Sequence, residues 1–96
     1  AKEGLRYWNE GEKFRKDSHF QSAIKNYDTA RENGLCTPAL YSSYASVYRS
    51  MKDYDNEIDI LQEGIKRLSD QDNVSESHIN SMKERLEKAK ELLLKE

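Results

Sequence analysis

Apolar residues recur along this chain at intervals of three and four, the spacing of one helix face. The clearest stripe is Ile79, Met82, Leu86, Ala89 and Leu93. An earlier set, Leu5, Tyr7, Trp8, Gly11 and Phe14, predicts a helix over residues 3–16. No segment alternates apolar and polar residues as a half-buried strand does. Punctuation divides the rest. Ser18 and Gln21 form a capping-box pattern that opens a second helix running to Asn33, and Gly34 is suited to end it. Thr37 followed by Pro38 predicts the cap and first residue of a third helix reaching Met51. Asp53 caps a fourth helix to Leu68, and residues 69–73 are a polar break. Asn73 and Glu76 form another box-like start, from which a last helix runs from Val74 towards Glu96. Short connections predict five helices, all-α, with sequential neighbours packed antiparallel.

The pattern also repeats at a longer period. At an offset of 34 residues, Tyr7 falls on Tyr41, Gly11 on Ala45, Phe14 on Tyr48 and Arg15 on Arg49. Phe20 then falls on Tyr54, Ile24 on Ile58, Tyr27 on Leu61 and Ala30 on Gly64. A fixed period of this length marks helix pairs that bury their apolar faces by stacking.

These positions resemble the tetratricopeptide repeat family. Repeat one, residues 4–37, supplies Tyr7, Gly11, Phe14, Phe20, Ala23, Tyr27 and Ala30; repeat two, residues 38–71, supplies Tyr41, Tyr44, Ala45, Tyr48, Tyr54, Leu61 and Gly64. Residues 73–96 would then be a capping helix or half repeat. The resemblance implies one domain over residues 1–96, a right-handed α-α superhelix. It departs from the family at Glu10, where Leu is usual, and neither repeat ends in the usual Pro. Most notably, Glu57 stands where repeat one has Ala23 at the close helix crossing. A buried carboxylate is costly unless paired or hydrogen-bonded. Two alternatives stand: the helix splays and Glu57 reaches solvent, or a hydroxyl of Tyr41, Tyr44 or Tyr48 satisfies it.

The resemblance further implies a concave groove lined by the first helix of each repeat. Its residues would be Leu5, Trp8, Glu12 and Arg15, then Ser42, Ser46 and Arg49, then Asn80 and Lys83. Arg15, Arg49 and Lys83 recur at the repeat spacing, a basic ladder suited to an acidic segment through charge-assisted hydrogen bonds. The opposing reading is that Arg15 simply pairs with Glu12, three residues before it. The family's Lys and Asn clamp for chaperone tails is missing, since its places read Trp8, Glu12, Ser43, Asn73 and Ser77.

Composition narrows the classes. Hydrophobic residues make up 35% of the 96 and charged residues another 35%, so the core is thin. A formal net charge of -2 offers no basic face for nucleic acid. No apolar run approaches a membrane span. The lone Cys36 fits a reducing, cytoplasmic setting. His19, His78 and Cys36 have no metal-ligand spacing, and no nucleophile has a base at hand. We therefore expect no enzyme, cofactor or metal, but a protein–protein interaction module that binds a peptide. The competing expectation is self-association through the last helix, a homodimer contact at Leu92, Leu93 and Leu94. The start at Ala1 and the two and a half repeats suggest a piece of a larger protein.

Overall fold

A computed structural model describes residues 2–96 and contains five helices: α1 (Lys2–Lys16), α2 (Phe20–Glu32), α3 (Pro38–Ser50), α4 (Tyr54–Ser69) and α5 (Glu76–Leu94). No strand occurs among the described residues. The chain divides into two compact units, one ending at Cys36 and the other beginning at Thr37. In the first, α1 packs against α2. In the second, α4 packs against both α3 and α5, and α3 meets α5 over a short stretch.

Most helix starts follow their side-chain caps. The Thr37 hydroxyl accepts the Leu40 amide at 3.2 Å, with Pro38 in the first turn. Asp53 accepts the Asn56 amide and, at 2.7 Å, the Asn56 side-chain amide. Ser75, rather than Asn73, caps α5, accepting the His78 amide at 3.3 Å.

The capping box expected at Ser18 does not form. Ser18 lies in the left-handed region, at φ 61°, and belongs to the end of α1. Its amide donates to the Arg15 carbonyl at 3.0 Å, and the His19 amide donates to the Phe14 carbonyl at 2.9 Å. This is the Schellman arrangement, which satisfies two carbonyls the helix leaves orphaned. His19 becomes the α2 N-cap, with no side-chain capping bond. Lys52, 34 residues on, repeats the turn: φ is 57°, and the Lys52 and Asp53 amides donate to Arg49 and Tyr48 carbonyls at 3.0 and 2.9 Å.

Each unit has a close approach built on a missing Cβ. In the first, a Cβ on Gly11 would lie 2.5 Å from the Tyr27 ring and 3.2 Å from the Ala23 carbonyl. The buried residues there are Gly4, Gly11, Ala23, Tyr27, Ala30 and Leu35. In the second, a Cβ on Gly64 would lie 2.7 Å from the Tyr41 ring and 2.5 Å from the Met82 methyl. Leu40, Tyr41, Tyr44, Leu61 and Leu68 are fully buried beside it.

Candidate functional site

Ser42, Ser46 and Arg49 are four and three residues apart, so α3 presents them on one face. Glu57 comes from the first turn of α4, and Arg85 from the middle of α5. The packing of α4 against both neighbours gathers all five.

Glu57 has no solvent exposure. Neither expected alternative describes it: it does not reach solvent, and its partner is not a tyrosine. Arg49 Nε donates to Glu57 Oε1 at 3.0 Å and Oε2 at 2.9 Å, and Nη2 lies 2.6 Å from Oε2. The guanidinium fork matches both carboxylate oxygens, which a single hydroxyl would not. The tyrosine hydroxyl of Tyr41 is engaged elsewhere, donating to Glu63 at 2.7 Å and accepting from Arg67 at 2.8 Å. No buried side-chain nitrogen or oxygen among the described residues lacks a hydrogen-bond partner.

Arg49 Nη2 also donates to the backbone carbonyl of Arg85 at 3.1 Å. The Arg85 side chain turns back to α3. Its Nη1 donates to Ser42 Oγ at 3.0 Å and its Nη2 to Ser46 Oγ at 2.8 Å. Arg85 is half-buried, yet no carboxylate among the described residues lies within ion-pair distance of it. Burial, followed by repulsion from Arg49, lowers its pKa from the ordinary arginine value, and attraction to Glu57 opposes the shift. Arg49 alone binds the buried carboxylate, and Arg85 feels it only at longer range.

The expected groove residues are placed as follows. Leu5 is 49% exposed and Trp8 half-buried on α1. Glu12 and Arg15 form a hydrogen-bonded ion pair, and the Tyr27 hydroxyl donates to Glu12 at 3.2 Å. The bond to Glu12 raises the Arg15 pKa. Of the ladder, Arg15 and Arg49 are therefore each committed to an acid in their own unit. Lys83 is exposed and makes no ion pair among the described residues. Lys83 and Asn80 edge a cleft of about 350 Å³ floored by Leu68, Val74 and Ile79 at the α4–α5 connection. Ser42 and Ser46 are not free hydroxyls, because the Arg85 guanidinium donates to both, and Ser42 also lines a small cleft.

Sequence reasoning missed Arg85. One signal existed: Arg85 lies three residues after Met82, at the margin of the apolar stripe of α5. It also missed the Arg49–Glu57 pair, which spans the Lys52 turn.

What the fold and site define is an all-α protein of two helical units, with a buried Arg–Glu pair in the second. No family model matches the chain, and neither a curated protein nor a solved structure matches it.

Proposed function

We propose that this chain is a non-catalytic protein–protein interaction module of the tetratricopeptide type, a right-handed superhelix that binds an extended acidic segment on its concave side. The observation that carries this reading is the 34-residue period in the backbone. Helices α1 and α3 end at Lys16 and Ser50, α2 and α4 begin at Phe20 and Tyr54, and Ser18 and Lys52 make the same left-handed turn. Repetition of a helix–turn–helix unit is how solenoids build extended binding surfaces. The α3 face of Ser42 and Ser46, with Arg85 behind it and Asn80 and Lys83 nearer the start of α5, is the binding surface in the second unit. A cytoplasmic setting belongs to the same reading.

Trp8 is the single tryptophan and reports on α1. Titration of extended acidic peptides, followed by Trp8 fluorescence and by backbone amide shifts, tests the proposal. Saturable shifts on α3 and α5 that weaken with added salt support it. Absence of saturable binding across a diverse acidic peptide set overturns it.

A second reading is a homodimer through α5. It draws on Leu94, which is 86% exposed, next to half-buried Leu92 and Leu93. Light scattering over a concentration series decides it: a constant monomer mass excludes the dimer, and a rising mass lost in Leu94→Lys supports it.

A further inference from the structure

A half-buried cation normally has an anion beside it, because transfer of a charge from water is costly. Arg85 has two neutral hydroxyls instead. Both serines act as acceptors towards Arg85, and neither donates its hydroxyl proton to an acceptor among the described residues. The cluster therefore holds two kinds of unused donor: hydroxyl protons on Ser42 and Ser46, and the guanidinium protons Arg85 has left. Its charge is unbalanced too, with Arg49 and Arg85 set against Glu57 alone. A cleft of about 80 Å³ opens on this cluster between α3 and α5. Its walls are mainly apolar, led by Pro38 and Met82, and the polar atoms of Ser42, Ser81, His78 and Arg85 contribute only a small part of its surface. That volume takes a small planar acid group and little more. One surplus positive charge matches a monoanion better than a dianion.

We infer that this cleft is a carboxylate-binding site, with Arg85 as its anchor and the Ser42 hydroxyl as second donor, and that it receives an Asp or Glu side chain of the partner segment. The source of the carboxylate rests on the interaction-module reading; the site itself does not. A bound carboxylate accepts from the remaining Arg85 guanidinium protons and from the Ser42 hydroxyl, and it neutralises the surplus charge in a poorly hydrated setting. Charge-assisted bonds of this kind are about twice as strong as neutral ones.

The test uses acetate first, at constant ionic strength, followed by amide shifts and the Arg85 Nε–H signal. Saturable shifts confined to α3, the start of α5 and Arg85 are expected. Arg85→Gln should weaken acetate binding at least about tenfold. Ser42→Asp supplies the carboxylate from within the chain, so it should keep the fold and abolish acetate binding even if Arg85→Gln fails to fold. Unsaturable shifts in the wild type, or unchanged binding in Ser42→Asp, overturn the site. Inorganic phosphate binding more tightly than acetate overturns the choice of a carboxylate.

Peptides acetylated and amidated at their ends, carrying Glu or Gln at one position, then separate the two proposals. Acetate bound at Arg85 with no peptide binding leaves the site and removes the module. Peptide binding that ignores both Glu→Gln and Ser42→Asp leaves the module and removes the site.

Discussion

Arg49 holds Glu57 through both carboxylate oxygens, with Nε at 3.0 and 2.9 Å, and the carboxylate it holds is fully buried. The pair bridges the end of α3 and the start of α4, so it fixes the angle at which the two helices leave the Lys52 turn. Position 57 lies 34 residues after Ala23, a small buried residue. At that position the second unit holds a buried ion pair with Arg49.

The two partners should not be equivalent in mutation. Arg49→Ala strands a buried charge, a loss of about 3–5 kcal/mol. Glu57→Ala leaves an arginine with 30% of its side chain exposed, which water can serve. It should cost less, about 1–3 kcal/mol, mostly from the cavity and the lost bonds. The double variant Arg49→Met with Glu57→Leu should recover much of the Arg49 loss, because hydrophobic replacement of a buried pair is often neutral or better. Urea unfolding measures all three; a smaller loss for Arg49→Ala than for Glu57→Ala would contradict this account.

Arg15 and Arg49 lie 34 residues apart but should differ greatly in effect. The Arg15–Glu12 pair lies within one helix, and the Arg15 side chain is 39% exposed. Water and salt screen such a pair, so Arg15→Ala should cost under about 1 kcal/mol. Thermal unfolding of the two alanine variants side by side checks the contrast.

Ser18 and Lys52 adopt a left-handed backbone at φ 61° and 57°. A side chain there carries a steric cost of about 1–2 kcal/mol. The greater freedom of glycine in the unfolded chain cancels part of the gain. Ser18→Gly and Lys52→Gly should each raise stability by about 0.5–1 kcal/mol. Gly34, at φ 91°, is the control: Gly34→Ala should destabilise, although nothing lies within 4 Å of the added carbon. Chemical denaturation of the three variants is decisive, and a destabilised Ser18→Gly would refute the turn assignment.

Gly11→Ala and Gly64→Ala should each cost about 1–3 kcal/mol by overpacking. The obstacle at Gly11 is the Tyr27 ring with the Ala23 carbonyl behind it, and at Gly64 the Tyr41 ring. Gly64 has a partial escape, because the Met82 methyl at 2.5 Å can swing aside. Gly11→Ala should therefore be the more damaging, a ranking that melting temperatures can reverse.

Local rules made most of the helices readable. Thr37 and Pro38 announce α3, and Asp53 announces α4, because a cap is decided within one turn of chain. Ser18 shows where that reasoning ends. Its side chain suits an N-cap, but the same residue was needed as the left-handed stop of α1, and the carbonyls of Phe14 and Arg15 outweighed one capping bond. At α5 the competing caps Asn73 and Ser75 were two residues apart, and Ser75 took the role.

The sequence by itself determined five amphipathic helices, their approximate ends and the 34-residue correspondence between the first two pairs. Those properties rest on side-chain period and on hydrogen bonds between near neighbours. Only the tertiary structure decided what Glu57 does and where Arg85 goes. Charge pairing depends on which donors packing brings within about 3 Å, and Arg85 lies 28 residues beyond Glu57. The Arg15, Arg49 and Lys83 row has the regularity of a ladder along the chain. In space Arg15 is drawn to Glu12 and Arg49 to Glu57, Lys83 is exposed, and the half-buried cation with no acid at its side, Arg85, lies outside the row.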